Sequence, residues 1–349
     1  MALLRFNIQK FRLVFPPAAM KRPRFLPDNF VLAIIGMVVL ATFLPAHGSA
    51  VPVLGWMTNI AVALLFFLHG ARLSRDAVVA GILHWRLHLV IFLATFALFP
   101  ILGLILKPVF EPVLGSTLYM GMLFICALPS TVQSSIAFTS VARGNIPAAI
   151  CAASFSNLIG IVLTPLLVGL LFTVQSSGEH PFSLDAIYKI VLLLLVPFVA
   201  GQIARRWIGN WVIKNKSWLK YVDQSSILLV VYGAFSEAVM EGIWHQVSFQ
   251  TLVWLLVVCS ILLALIMLIL TFGSRKLGFN KEDEIAIVFC GSKKSLATGV
   301  PIAQILFVGQ PMGLLILPIM LFHQIQLMVC AMLANRYAKR PETAPEQHD

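Results

Sequence analysis

Lys293 and Lys294 stand side by side within Ile285-Ala-Ile-Val-Phe-Cys-Gly-Ser-Lys-Lys-Ser-Leu-Ala-Thr-Gly-Val-Pro-Ile-Ala-Gln304, an otherwise apolar stretch long enough to cross a membrane. A lysine at the bilayer centre costs roughly 2.5–3.5 kcal/mol on insertion scales, so it is kept only in a protein interior or a wetted cavity. An ammonium at that depth can hold an anionic group, stand in for a metal cation or carry a proton. Gly291 before the pair, and Gly299 and Pro301 after it, weaken the helix there. Interrupted helices with charge at the midplane are how membrane carriers bind ions and anionic solutes.

A second polar interruption lies in Cys126-Ala-Leu-Pro-Ser-Thr-Val-Gln-Ser-Ser-Ile-Ala-Phe-Thr-Ser140. Pro129 is followed by Ser130, Thr131, Gln133, Ser134, Ser135 and Thr139, a run that either ligates a cation or bonds across helices. Ser154, Ser156 and Asn157 form a further polar patch, and Asn157 is too costly to leave unpaired in lipid. His323, Gln324 and Gln326 form another, with His323 a candidate proton relay or a residue packed near an amide. Adjacent lysines on a helix point roughly 100° apart. One is therefore expected to face a cavity, with Lys293 favoured for that role, while the other pairs with a carbonyl or carboxylate. Glu237 and Asp223 are candidate partners, although Asp223 fits better as a charge near a helix N-terminus.

The elements that position these residues are legible from hydropathy. The chain has 349 residues, 59% hydrophobic and only 11% charged, with a mean hydropathy of +0.93. A soluble domain carries about a quarter charged residues. Spans of roughly 20 apolar residues fall at 29–46, 52–70, 86–106, 116–141, 145–173, 186–207, 219–240, 250–272, 284–307 and 311–334. The expected fold is an all-α integral membrane protein of ten transmembrane helices. With the N-terminus in the cytoplasm, 21 of the 25 Lys and Arg fall on the inner side, Lys107 and Lys189 lie outside, and Lys293 and Lys294 are intramembrane. That is a strong positive-inside pattern with both termini cytoplasmic. The tryptophans at 56, 85, 207, 211, 218 and 244 sit near span ends, as interfacial anchors do.

Four segments follow: a basic arm (1–28), a first five-helix repeat (29–173), a second (174–335) and a short tail (336–349). Five spans per half invert the second half relative to the first. The two interruptions then occupy matching places, the fourth helix of each half, which is a pointer to a transport site. The formal net charge of +11 does not indicate nucleic acid binding, because the basic residues are dispersed among the loops. The five cysteines lie in apolar runs without zinc-site spacing, and no Gly-x4-Gly-Lys-Ser/Thr loop is present for ATP. No cofactor is expected.

At the two interrupted segments the chain resembles the bile acid:sodium symporter superfamily. Within it, the SBF-like branch that includes solute carrier family ten member seven is the most similar. The resemblance runs from about Asp28 to Arg336. It rests on Leu128-Pro-Ser-Thr-Val-Gln-Ser-Ser-Ile-Ala137, Tyr221-Val-Asp-Gln-Ser-Ser226, Tyr232-Gly-Ala-Phe-Ser-Glu237 and Phe289-Cys-Gly-Ser-Lys-Lys-Ser-Leu-Ala-Thr298. It implies two inverted repeats arranged as a panel and a core domain, with helices four and nine broken and crossing in the core. Sodium would bind near that crossing and an organic anion in the crevice between the domains. By position, the family's first-repeat sodium ligands match Ser134 and Ser135 and, more loosely, Ser154, Ser156 and Asn157. In helix nine the sodium-coupled members carry a glutamate before the break and then Gln-Asn-Ser. Here the run is Phe289-Cys290-Gly291-Ser292-Lys293-Lys294-Ser295, so sodium coupling is in question and a lysine acting as built-in cation or proton carrier takes its place.

The expected function is secondary active transport of a small, bile-acid-like organic anion in the cell membrane, a bacterial inner membrane, driven by sodium or protons through alternating access. The binding set is Gln133, Ser134, Ser135, Ser154, Ser156, Asn157, Ser292, Lys293, Lys294 and Ser295, with Glu237 and His323 as partner or relay. Three alternatives remain. One is a regulatory membrane protein without transport. Another is an ion or metalloid carrier using Cys126 and Cys290 as soft ligands. The third is an intramembrane enzyme pairing Ser292 or Ser295 with a lysine.

Overall fold

The computed structural model describes residues 29–72, 84–175, 191–240, 242, 247–307 and 310–340. Regular structure among them is helical throughout. α1 (Asn29–Phe43) and α2 (Ala50–Arg72) precede α3 (Trp85–Ile105), in which the turn Ala94–Leu98 is wound as π-helix. A short α4 (Lys107–Leu114) leads to α5 (Ser116–Ala127), α6 (Gln133–Val141) and α7 (Ile146–Gln175). The turn Val191–Leu195, also π-helical, enters α8 (Val196–Lys214). There follow α9 (Lys216–Met240), α10 (Phe249–Lys276), α11 (Lys281–Gly291), α12 (Leu296–Leu306) and α13 (Met312–Ala338).

The expected fourth and ninth spans are thus each two helices, α5–α6 and α11–α12. The short α4 was not anticipated, because its eight residues carry two prolines and two charges. Six stretches among the described residues are long and apolar enough to cross a membrane: Ala50–Arg72, Trp85–Ile105, Ile146–Phe172, Phe249–Lys276, Lys281–Leu306 and Met312–Ala338. The protein is therefore a multi-pass membrane protein. The other expected spans fall short for physical reasons. α1 has 15 residues, the fourth span is cut into helices of 12 and 9, and α8 and α9 carry charges such as Arg205, Arg206, Lys220 and Asp223. The expected arm (1–28), the start of the sixth span (186–190), Trp244 and the end of the tail lie outside the described residues.

Packing separates the helices into two groups. α1, α2, α8 and α9 lie against one another, and the rest gather round the broken helices; α9 also touches α12 and α13. α2 and α8 approach so closely that a Cβ on Gly70 would lie 2.0 Å from the Phe198 oxygen, and one on Gly201 2.0 Å from the Phe67 oxygen. Small residues permit such backbone contact in lipid.

The most apolar stretch of Lys281–Leu306 is 94% buried, against 28% for that of Ala50–Arg72. α11 and α12 are therefore an inner layer and not a lipid-facing one. The first turn of α11 is fixed at its base. Asn280 caps it by accepting from the Asp283 N–H (2.8 Å), and Glu282, Asp283 and Glu284 complement the positive helix end. Arg275 and Lys281 pair with Glu284, Arg340 with Glu282, and the Asn145 amide donates to Asp283 (2.7 Å).

Candidate functional site

The first break follows from Pro129. Leu128 before it is extended (ψ 152°), as the residue preceding a proline tends to be, and α5 stops. Helix α7 then supplies what the interrupted backbone lacks. The Ser130 N–H donates to Ser156 Oγ (3.1 Å), and Asn157 Nδ2 donates to the Ser130 carbonyl (2.5 Å). Thr164 donates to the Ala127 carbonyl at the end of α5 (2.9 Å). Room for Pro129 comes from Gly160, where a Cβ would lie 2.6 Å from that of the proline.

At the second break α11 ends at Gly291 and α12 restarts under Ser295, whose hydroxyl accepts from the Thr298 N–H (3.2 Å). The exposed backbone of Lys294 is met by one side chain. Its N–H donates to Gln326 Oε1, and Gln326 Nε2 donates back to its carbonyl, both at 2.9 Å. Those two bonds fix the amide orientation. The same Nε2 lies 2.9 Å from His323 Nδ1, and an amide nitrogen only donates, so that ring nitrogen accepts.

The two breaks touch: the Ser295 N–H donates to the Pro129 carbonyl (2.9 Å). Around this bond each break completes the other. Ser130 Oγ donates to the Cys290 carbonyl (2.6 Å) and Ser135 Oγ to that of Phe289 (3.3 Å), satisfying the end of α11. In return Lys294 Nζ donates to the carbonyls of Cys126 (2.9 Å) and Leu128 (2.7 Å) at the end of α5, and to that of Thr95 (2.7 Å) in α3. Thr298 Oγ1 donates to Asn157 Oδ1 (2.8 Å) and accepts from Ser295 Oγ (2.9 Å), tying α12 to α7. Thr131 Oγ1 lies 2.8 Å from Ser134 Oγ and 3.1 Å from Ser135 Oγ.

The two lysines differ sharply. Both are completely buried. Lys294 uses three charge-assisted hydrogen bonds, at about 1.5–3 kcal/mol each, which is the scale of the several kcal/mol needed to desolvate an ion. Lys293 Nζ makes no hydrogen bond among the described residues and lies over the Phe138 ring, 3.9 Å from its centroid, and 5.6 Å from that of Phe289. Ring contacts of this kind return about 2 kcal/mol when desolvated, so its charge is the poorly compensated one.

Of the expected site residues, Ser135, Ser156, Asn157, Lys294 and Ser295 are brought together in this network, with Ser134 at its edge. Ser292 donates back to the Val288 carbonyl (2.6 Å). Ser154 is half-buried and Gln133 exposed, and neither joins the described hydrogen bonds. Three expectations need correction. Lys293 does not open onto a cavity here, because it is sealed between rings of α6 and α11. Glu237 is exposed on α9 and makes no ion pair with the fully buried lysines. Asp223 is neither a lysine partner nor a first-turn charge. It lies well inside α9 and pairs with Arg72 of α2. His323 sits against an amide, as one of its two expected readings had it.

Sequence reasoning gave no cause to single out Thr95, Thr164 or Thr298, and Gln326 only as part of a patch. For Thr95 the cause is structural, since in a regular α-helix Pro100 would free the Phe96 carbonyl instead. In the π-turn the Phe99 N–H goes to Ala94, and the next residue, Pro100, has no N–H to offer, so the Thr95 carbonyl is orphaned. The thiols are directed apart: Cys290 points to the Ala149 carbonyl (3.8 Å), and Cys126 packs against Gly103. Neither serine of the Lys-Lys run is bonded to a lysine, since Ser292 faces Val288 and Ser295 faces Thr298.

The sequence profile of the SBF-like CPA transporter family matches residues 28–339. An uncharacterized protein of Pseudomonas aeruginosa is 62% identical over 325 residues, 93% of this chain and 97% of its own length. The Escherichia coli K12 protein named "Putative symporter YfeH" is 54% identical over 323 residues, covering 92% and 96%. "Sodium/bile acid cotransporter 7" of Rattus norvegicus is 30% identical over 306 residues, covering 87% and 89%.

Proposed function

Because this chain belongs to the SBF-like CPA transporter family, and so is a transporter, we propose that it is a secondary active carrier of small organic anions. It works by alternating access in the cell membrane, without enzymatic chemistry. We read the helices as ten crossings in two inverted halves, 29–173 and 174–335, with both termini cytoplasmic. On this reading α5–α6 and α11–α12 are the broken fourth and ninth crossings. α1, α2, α8 and α9 form the panel, and the remaining helices form the core. The charge distribution along the sequence supports the orientation, and the two packing groups support the panel and core.

One observation carries the substrate class. At the meeting point of two broken helices stands an ammonium, Lys293, that no oxygen among the described residues compensates. A cation in that condition is stabilised by an arriving anion, and by little else in an apolar surround. The hydroxyls of Ser134 and Ser135, beside Thr131, supply oxygens of the kind that would accept a coupling sodium. Lys293 is the group that would carry a coupling proton. One relative's name speaks of sodium and bile acid and another's of symport, which favours a bile-acid-like anion moved together with an ion.

The test is uptake of labelled taurocholate and simpler organic anions into proteoliposomes, with sodium and proton gradients imposed separately. Lys293→Gln is expected to abolish uptake while insertion and folding persist. Sodium-driven uptake would assign coupling to hydroxyls such as Ser134 and Ser135, and proton-driven uptake to Lys293. Absence of uptake under both gradients would count against the transport of organic anions.

A further inference from the structure

We infer that the carbonyls of Thr95, Cys126 and Leu128 form a monovalent-cation site, and that Lys294 fills it permanently with its own ammonium. The three oxygens lie 2.7, 2.9 and 2.7 Å from Nζ, and the Phe99 ring centroid lies 4.0 Å away on the same nitrogen. An ammonium has three N–H donors, and all three are used.

The cage exists for backbone reasons independent of the lysine. Two of its oxygens close α5, at the negative end of that helix, and the third is freed by the π-turn and Pro100. Four neutral or aromatic ligand groups suit a single positive charge. A divalent ion draws carboxylates, and none belongs to this cage. Buried carbonyls without a partner are costly, so the core needs a donor or a cation here in every state in which α3, α5 and the second break stay together, and the three oxygens converging on one nitrogen favour a cation.

The assignment deepens the transport reading in one respect. At this point of the crossing the chain itself supplies the positive charge, so no exchangeable ion is drawn from solution into this cage. The neighbouring lysines then divide the work: Lys294 holds the two breaks together, and Lys293 is left for what moves.

The test does not depend on transport. Thermal unfolding of the full chain in detergent is followed for wild type, Lys294→Ala and Lys294→Met. The salts are sodium, ammonium, methylammonium and n-propylammonium chloride at constant ionic strength, with tetramethylammonium as the bulky control. Lys294→Ala is expected to lose stability and regain most of it, saturably, with a small cation. The wild type should not respond, and Lys294→Met, which refills the space without charge, should stay destabilised in every salt. Indifference of Lys294→Ala to all cations, or wild-type stability in Lys294→Met, would overturn the assignment. Should Lys294→Ala not fold, Lys294→Gln decides. It keeps N–H donors without the charge, so wild-type stability in that variant overturns the proposal and marked loss supports it. Because the readout is unfolding, failure here leaves the uptake experiment untouched, and absence of uptake leaves this site standing.

Discussion

The two breaks do the same geometric job with different chemistry. The first, at Leu128 to Val132, works through many small donors and acceptors on or beside it, Ser130, Thr131, Ser135, Ser156, Asn157 and Thr164, whose side chains make one to three bonds each of ordinary strength. The second, at Ser292 to Ser295, concentrates its contacts in one residue: Gln326 holds the Lys294 backbone, and Lys294 Nζ reaches across to carbonyls of α3 and the end of α5, while Ser130 and Ser135 close the end of α11. Distributed neutral bonding tolerates the loss of one member. Concentrated bonding does not, because one deletion strands several buried groups at once. Rigidity is therefore built into one lysine of the second break, while its neighbour is left with an uncompensated charge.

That contrast can be broken in order of expected effect. Gln326→Leu removes both partners of the Lys294 backbone, and two stranded groups cost roughly 2–6 kcal/mol. Unfolding in mixed SDS micelles, read by tryptophan fluorescence, should show it as the largest loss. Gln326→Glu, which keeps the acceptor for the Lys294 N–H, should recover part. Gly160→Ala presses a methyl into Pro129 and is expected to cost about 1–3 kcal/mol in the same assay. A neutral result there would mean that α7 can move away and does not clamp the first break. Ser130→Ala deprives the Cys290 carbonyl of its donor, at about 1–2 kcal/mol. Ser135→Ala, whose bond to Phe289 is long at 3.3 Å, should lose less than about 1 kcal/mol. Equal losses for Ser130→Ala and Gln326→Leu would erase the distinction between the breaks.

Much of the frame was legible in advance. Pro129 and the Gly291 to Lys294 run announce helix interruptions, and both breaks lie where those residues put them. The expectation that one lysine faces a cavity while the other meets a carbonyl or carboxylate rested on helical geometry, and that geometry does not apply, because both lysines lie in the non-helical stretch between Gly291 and Leu296. Lys293 was favoured for the cavity; Lys294 does meet carbonyls, but Lys293 is sealed between rings, and both outcomes depend on the direction in which the chain leaves α11. The proposed carboxylate partners failed for a related reason. Glu237 and Asp223 are the nearest acids by type, but the oxygens that answer the buried charge are carbonyls, which every residue carries and no side-chain pattern reveals.

From its residues alone the chain determined that it is helical and membrane-embedded, where its helices falter, and that charge is buried at one of those places. These are local matters of hydropathy, of proline's missing N–H and of glycine's weakness in a helix. The tertiary structure alone decided the partners. Thr95 and Lys294 are 199 residues apart, and they meet because a π-turn in α3 frees a carbonyl just where the meeting of the two breaks delivers an ammonium. A hydrogen bond is set by ångström-scale placement, and that placement comes from the packing of all the helices together, not from any one segment.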